Sequence, residues 1–315
     1  MKSYHEIFAE NPLRIVTRQS KLAMVQTDIV TAQLGDCAHQ VTGISTSGDE
    51  ILDRPLVEIG GKGVFIKALE AVMVQGKADA AVHSFKDMET VLADGTALCC
   101  VLPRADRRDA LVGPYKSLAD LPQGAVIGTS SVRRASILRN ARPDLEIKLL
   151  RGNVQRRLAQ LEAGAYDAII LAMAGLERLG LDDKGHPLAE TEMMPAASQG
   201  VIAIQIATQD EARADAMRHV FAMMHCAQTA LCTRAERAML AHLDGSCRTP
   251  IGAVADILAD GQLRLQGMVL STDGAQKFEA VMTSMISDDG DEAEALGVQV
   301  ADALLSQCGG RDFLA

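Results

Sequence analysis

Tryptophan is absent from this 315-residue chain, and three tyrosines and six phenylalanines supply its only other aromatic rings. Positive charge is short as well, with a formal net charge of −10, so neither a basic surface nor stacking rings are available in quantity and nucleic acid is not an expected partner. Long apolar runs are lacking. The longest, residues 168–176, falls far below the roughly 20 residues a bilayer span requires. The chain does not open on a basic region followed by an apolar core. No membrane partner is therefore expected, and a cytoplasmic location is. Cysteine numbers seven, an odd count, with no CxxC pair and no His/Cys spacing of the zinc kind. That argues against a disulfide framework and a structural metal, and predicts mostly buried, reduced thiols. What remains is ordinary: 48% apolar and 23% charged residues fit a globular protein, the length allows two or three domains, and no repeat runs at solenoid periods.

Against this acidic background, residues 128–157 stand out. They hold eight basic residues (Arg133, Arg134, Arg139, Arg142, Lys148, Arg151, Arg156, Arg157) and two acidic ones (Asp144, Glu146), so the segment carries +6 and the rest of the chain −16. Arginine concentrated in this way suits a ligand with several carboxylates or phosphates. The plainer alternative is a pair of solvated helix faces.

From the N-terminus, residues 13–17 read as a short buried strand, and an amphipathic helix follows over about 21–34, which puts Arg18 and Ser20 at a strand-to-helix junction. A strand near 40–46 leads through a polar segment to the glycine-rich run Gly60, Gly61, Lys62, Gly63 and a helix over about 64–74. That run is not a Walker loop, because no Gly-Lys-Ser/Thr ending follows at the required spacing. A third strand at 79–82 runs into His83, Ser84, Phe85, Lys86 and Asp87. Open α/β sheets bind ligands outside their strand carboxyl ends, so the Lys86–Asp87 pair is a candidate site; a solvated turn is the alternative.

Residues 103–114 are charged and read as a connection, after which the pattern restarts. A strand at 125–128 precedes Thr129, Ser130 and Ser131, whose hydroxyls suit an N-cap, and a helix to about 141. A strand at 146–150, a turn at Arg151, Gly152 and Asn153, a helix over 154–163, and a strand at 167–172 complete a β-α-β-α-β order, which implies a parallel sheet with right-handed crossovers. Thr129, Ser130, Ser131, Arg133, Arg134, Arg151 and Arg157 thus fall at strand carboxyl ends and helix N-termini, where backbone N–H groups already favour anions. This turns the balance towards anion binding.

A turn at 195–200 precedes a strand at 201–206 that can return to the first sheet and make the first domain discontinuous. From residue 225 a helix runs to about 243, followed by the loop 244–250, three alternating strands (251–258, 262–270, 276–285) separated by Asp-Gly turns, and a last helix over about 291–305. Cys247 lies in that loop beside Arg248, whose charge can lower the thiol pKa; an ordinary structural cysteine is the alternative.

The ordered set of Arg18–Ser20, residues 60–65 ending in Phe65, residues 83–87, residues 128–134, residues 151–157 and residues 244–247 resembles the porphobilinogen deaminase family, also called hydroxymethylbilane synthases. The likeness covers about residues 13–310. It implies a transferase of tetrapyrrole and heme biosynthesis that deaminates four porphobilinogen molecules and joins them head to tail into hydroxymethylbilane, releasing ammonia. It also implies a dipyrromethane cofactor, covalently held as a thioether on Cys247, and a monomer. The fold it implies is α/β: two doubly wound, periplasmic-binding-protein-like domains (1–104 with 201–223, and 105–200) facing each other across a cleft, and a smaller α+β domain (224–315) with a three-stranded antiparallel sheet.

By this resemblance Asp87 is catalytic. Lys86, Ser84, Thr129, Ser130, Ser131, Arg133, Arg134, Arg151 and Gly152 hold the cofactor, while Arg18, Ser20, Arg157, Arg178, Gln199 and Phe65, the last as a movable cover, meet substrate. The chemistry agrees with the composition. Each pyrrole brings an acetate and a propionate, and arginine grips carboxylates bidentately while staying charged. The chain departs from the family's usual pattern at Glu89, where proline is common, at Ser198, where glycine is usual, and at Gln205, where glutamate is frequent. These bear on the stiffness of the loop after Asp87 and on the hinge near residue 200. A two-lobed small-anion-binding protein and an inactive paralogue are the rival readings.

Overall fold

Alternate residues of the first strand serve two different cores. After a short helix α1 (Tyr4–Glu10), strand β1 (Leu13–Arg18) sends Leu13 and Ile15 into one buried cluster and Val16 into another, which is why its sequence is a continuous apolar run instead of an alternating one. The structure, a computed structural model, describes residues 4–46, 63, 66–245, 249–286 and 290–314.

Helix α2 (Lys21–Thr31), β2 (His39–Ile44), α3 (Lys67–Val74), β3 (Ala80–Ser84) and β4 (Thr96–Val101) follow. The charged stretch 103–114, expected as a connection, contains β5 (Asp109–Val112), all four of whose residues are buried. Its polar neighbours disguised a strand too short to show a period. Next come β6 (Val126–Gly128), α4 (Val132–Ala141), β7 (Glu146–Lys148), α5 (Val154–Glu162), β8 (Ala168–Ala172), α6 (Met173–Arg178) and β9 (Gly185–Pro187). Then β10 (Ile202–Ala207) and α7 (Glu211–Ala222) lead to α8 (Ala227–His242), β11 (Ile251–Ile257), β12 (Gln262–Leu270), β13 (Lys277–Met285) and α9 (Asp291–Cys308).

Two five-stranded sheets share one plan. The first has the order β2-β1-β3-β10-β4 and the second β7-β6-β8-β5-β9. In each, the first three strands are parallel, and the fourth position is filled by a strand antiparallel to both neighbours. Those two strands, β10 and β5, each arrive from the other lobe. The return of the chain to the first sheet is therefore present, and it is matched by a crossing in the opposite direction. These are the two doubly wound sheets expected from the sequence.

The third sheet, β11-β12-β13, is antiparallel throughout. One face, with Leu263, Leu265 and Val269, packs on α8 and α9, while Met268 and Leu270 of the same strand join the core of the second lobe. Glu236 of α8 ties this unit to both lobe crossings. Its fully buried carboxylate accepts two hydrogen bonds from Arg104 at 2.9 Å, one from the Ser198 N–H at 2.7 Å and one from the Ala255 N–H at 2.9 Å. A buried charge with four donors is well satisfied. At Gly200 the backbone turns left-handed (φ +88°), and a Cβ there would stand 2.7 Å from the Ala105 carbonyl of the other crossing, so only glycine lets the two segments touch.

Candidate active site

Three helices begin at the cleft, and each is capped by a side chain supplied by the loop before it. Ser20 accepts from the Ala23 N–H of α2, Ser131 from the Arg134 N–H of α4, and Asn153 from the Arg156 N–H of α5. The Thr129 hydroxyl accepts from the Ser131 N–H at 3.1 Å and so shapes the turn before α4. Gly152 sits at φ +109°, where a Cβ would meet Arg156 at 2.8 Å; this lets the 151–153 turn bring Arg151 and Asn153 to the cleft rim. The strand ends of both lobes thus converge on a cavity of about 590 Å³.

The arginines of the basic island are not solvated. Arg133, Arg134 and Arg151 are only 5–6% exposed, which rejects the helix-face alternative for these three. Arg133 and Arg134 grip Asp109, which is fully buried at the start of β5. Arg133 donates to Oδ2 at 2.7 Å, and Arg134 donates to Oδ1 from Nη2 at 2.6 Å and from Nε at 3.1 Å. The two guanidiniums also donate to the carbonyls of Met194 and Ile170. Burial pushes the Asp109 carboxyl up, but the adjacent guanidiniums outweigh it and hold the group well below the usual carboxylate range. Two cations against one anion leave an excess positive charge at the cleft floor.

Gln199, on the second crossing, extends this cluster across the cleft. Its amide nitrogen donates to Asp109 Oδ1 at 2.9 Å and to the Arg107 carbonyl at 2.8 Å, and its oxygen accepts from Lys86 Nζ at 3.0 Å. Burial, reinforced by the nearby Arg134, pushes the Lys86 ammonium down to about 8. Asp87, on the 3-10 turn Phe85–Asp87 that ends β3, faces Arg18 across 3.9 Å and is about a third exposed to the cleft. Burial and the charges of Arg134 and Arg151 likewise lower Arg157, to about 10, and its Nε donates to the Gly152 carbonyl at 2.7 Å. Behind Asp87, His83 is buried and pushed down to about 4, with Nε2 on the Gln205 amide oxygen at 3.0 Å. The amide nitrogen of Gln205 donates to Glu70 and Thr96, so this glutamine reads as a fixed bridge to a neutral histidine.

Of the residues singled out in the sequence, Arg18, Ser20, Lys86, Asp87, Ser130, Ser131, Arg133, Arg134, Arg151, Gly152, Arg157 and Gln199 line the cavity. Thr129 is buried just behind it. Ser84 turns away, its hydroxyl paired with the Gln26 amide at 2.9 Å. Arg178 donates to the Gly200 carbonyl at 2.6 Å, at the crossing and not on the cavity wall. Phe65 and Cys247 lie outside the described residues. From the third unit, Leu240, Thr249 and Ile251 reach the cavity, the first preceding and the others following the loop that carries residue 247. Sequence reasoning passed over Asp109, and it placed Asn153 in a turn and Arg156 in the basic island without assigning either to the site. A carboxylate opening a three-residue apolar run was the available signal for Asp109, and Arg107 and Arg108 beside it masked the signal.

Six further cysteines are free thiols; Cys37 and Cys100 are buried, and Cys99, Cys226, Cys232 and Cys308 partly so. Burial pushes Cys99 and Cys232 up to about 11 and Cys100 to about 12, so these three stay protonated at neutral pH.

Two lobes and a third unit meet at a cation-lined cleft with, among the described residues, one carboxylate at its edge, and this defines a class: proteins that hold a ligand bearing several acidic groups. The described helices include none long and apolar enough to cross a membrane, and among the described residues no His/Cys/Asp/Glu group is arranged to hold a metal ion.

Two family descriptions match: "Porphobilinogen deaminase, dipyromethane cofactor binding domain" over residues 13–215, and "Porphobilinogen deaminase, C-terminal domain" over residues 230–306. A relative from Chromobacterium violaceum, "Porphobilinogen deaminase", is 46% identical over 307 residues, covering 96% of each chain. The chain belongs to the porphobilinogen deaminase family. Among solved structures it is similar to an amino acid ABC transporter substrate-binding protein from Streptococcus pneumoniae bound to L-arginine (13% identical, TM-score 0.40, 70% of this chain and 92% of that one). It is also similar to the periplasmic VFT2 domain of Bordetella pertussis BvgS (11%, TM-score 0.40, 70% and 91%).

Proposed function

We propose that the chain deaminates four porphobilinogen molecules and joins them head to tail into hydroxymethylbilane in tetrapyrrole biosynthesis, consuming one water and releasing four ammonia molecules. The observation that carries this reading is the placement of Asp87, a partly exposed carboxylate at the edge of a cleft whose other ionisable walls, among the described residues, are cationic, in a chain of this family. A carboxylate repels a ligand that is anionic throughout, so Asp87 favours a reaction centre over simple anion binding.

The residues present fit a dipyrromethane. Its two rings carry four carboxylates, and Lys86, Arg151, Arg157 and the Arg133–Arg134 pair supply five cations around one cavity. Thr249 and Ile251 on the cavity wall bring the far side of the loop bearing Cys247 to the same place, and we assign the thioether to that residue. Bound dipyrromethane supplies the pyrrole carbon onto which the substrate units are joined.

The chain's own residues divide the remaining tasks. Arg151, Arg157, Arg18, Ser130 and Ser131 hold acetate and propionate groups, with bidentate arginine forks and the capped starts of α2, α4 and α5 adding N–H dipoles. Arg133 and Arg134, braced by Asp109, supply fixed charge. Gln199 orients Lys86, while Ser84, Thr129 and Arg178 support the strand ends and the crossing. Asp87 stabilises positive charge that develops at the pyrrole nitrogen as ammonia leaves, and takes the proton released when the new carbon–carbon bond rearomatises. Domain limits at 104/105, 200/201 and 223/224, a monomeric state and a cytoplasmic location belong to the same reading.

The test is turnover. Purified protein supplied with porphobilinogen yields hydroxymethylbilane and ammonia in a 1:4 ratio, and Asp87→Asn lowers kcat by about 100-fold or more while the fold and the cofactor mass persist. Porphobilinogen left unconsumed by the wild type points to the binding-protein or inactive-paralogue reading. Near-normal turnover by the variant removes the role given to Asp87.

A further inference from the structure

The 3-10 turn that presents Lys86 and Asp87 is held on one side by Phe85 and Met88, which are buried with Ile66, Val101, Val201 and Ala203. Behind it opens a second cavity of about 740 Å³, between the edge of the first sheet and helices α8 and α9, lined by Phe85, Thr90, Val101, Ala230, Arg237 and Ala238 among others. Within the turn's own chain, its backbone ties are few: the Phe85 N–H donates to the Val201 carbonyl at 2.9 Å and the Met88 N–H to the Phe85 carbonyl at 3.1 Å. After the turn, Glu89 stands where a proline ring would have fixed φ.

Arg237 of α8 spans this gap. Its guanidinium carbon lies 4.4 Å from the centroid of the Phe85 ring, Nη1 donates to the Met88 carbonyl at 3.2 Å and Nη2 to the Glu89 carbonyl. One planar group thus touches the residue before Lys86 and the two residues after Asp87. Among the described residues Arg237 forms no ion pair with a carboxylate, so a partly buried cation rests on an aromatic face and two neutral carbonyls. That is an expensive way to join two units if adhesion alone were needed. Burial accordingly lowers its guanidinium to about 10, with Glu89 opposing. The neighbouring Glu236 holds both lobe crossings, and Leu240, one turn further along α8, reaches the active cleft.

We propose that Arg237 is a positioning residue for the reaction: from the third unit, it fixes the Phe85–Glu89 segment so that Asp87 meets the pyrrole nitrogen at the correct place. The helix that leads to the cofactor-bearing loop therefore also sets the carboxylate facing that cofactor, and the two reacting partners are registered on one element. The inference rests on Asp87 acting as the catalytic carboxylate. A guanidinium is suited to the task because its fork reaches two successive carbonyls while its flat face stacks. A lysine ammonium can reach one carbonyl and stack only weakly.

The experiment compares wild type, Arg237→Met and Arg237→Lys, each made with cofactor, its loading read by intact mass and its fold by thermal melting, and rates expressed per loaded molecule. Arg237→Met is expected to lose about 10- to 100-fold in kcat with KM within about threefold, the pattern of a misplaced catalytic group and not of lost substrate contacts. Arg237→Lys recovers part of that loss. Wild-type kcat in Arg237→Met overturns the inference, as does a fall in activity that vanishes once rates are corrected for loading and folded fraction. A wild-type protein that leaves porphobilinogen unconsumed overturns the functional reading first and this inference with it, so the two failures are distinguishable.

Discussion

Lys86 shows how one residue's surroundings convert a common side chain into a tuned one. Desolvation and the charge of Arg134 outweigh the attraction of Asp87 and Asp109, so the ammonium loses its proton near 8 and not near 10.5. The sign follows directly. The folded chain binds fewer protons than the unfolded one between about 8 and 10.5, so this group makes stability rise with pH across that window, while the cleft loses one of its cations. Carboxylate binding therefore weakens on the alkaline side, and kcat/KM is expected to fall as pH rises through about 8. Lys86→Arg keeps the charge and should remove that limb or move it upward by more than one pH unit; a pH–rate profile unchanged by the substitution contradicts the assignment. Asp109 teaches the complementary lesson. Its carboxylate is spent on Arg133, Arg134 and Gln199, so its work is to aim cations, and a ranking by residue type alone would have mistaken it for an acid–base group.

At the scale of elements, the second crossing carries a left-handed residue that is not glycine. Ser198 adopts φ +61° although it is not glycine, is 1% exposed, and among the described residues its hydroxyl has no hydrogen-bond partner. The left-handed conformation costs about 1 kcal/mol or more for an L-residue, and an orphaned buried hydroxyl adds about 1–3 kcal/mol. Glycine removes both penalties and gives back part through its greater freedom when unfolded. Ser198→Gly is thus expected to stabilise the protein by about 1–2 kcal/mol, seen as a higher melting temperature. A lower melting temperature would show that the hydroxyl finds a partner that matters.

Elements with a strong period were legible in the sequence: the parallel strands β1, β3 and β8, buried on both faces, read as apolar runs, and the Asp-Gly turns announced the β11-β12-β13 meander. Strands β5 and β9 were not legible. Four- and three-residue strands carry no period, and β5 draws its place in the sheet from pairing with β8, residues 168–172. The cleft arginines were found because strand ends and helix starts attract anion-binding residues. The reciprocal partners Asp109, Gln205, Glu236 and Arg237 were not given those roles, because each acts through a residue 24 to 149 positions away in the chain.

For the whole molecule, charge is divided in a way that composition conceals. A chain of net charge −10 keeps a cationic cleft by burying arginines against a few carboxylates and placing the acidic excess elsewhere. Two lobes with the same strand plan exchange one strand each, and the third unit grips both crossings through Glu236 while its helix α8 braces the turn of Asp87. The reaction requires a growing polyanion to be accommodated while one carboxylate stays in register with the tethered primer. A cleft with fixed cations, two exchanged strands and a single supporting helix meets those needs together.

The central claim is that this cleft is built around a dipyrromethane held on Cys247, and intact mass spectrometry of the protein made in porphobilinogen-competent cells tests it most directly. The account predicts a protein heavier than its sequence by one dipyrromethane unit, with the increment carried by the peptide containing Cys247. A mass equal to that of the bare chain, or an increment on any other cysteine, would contradict it.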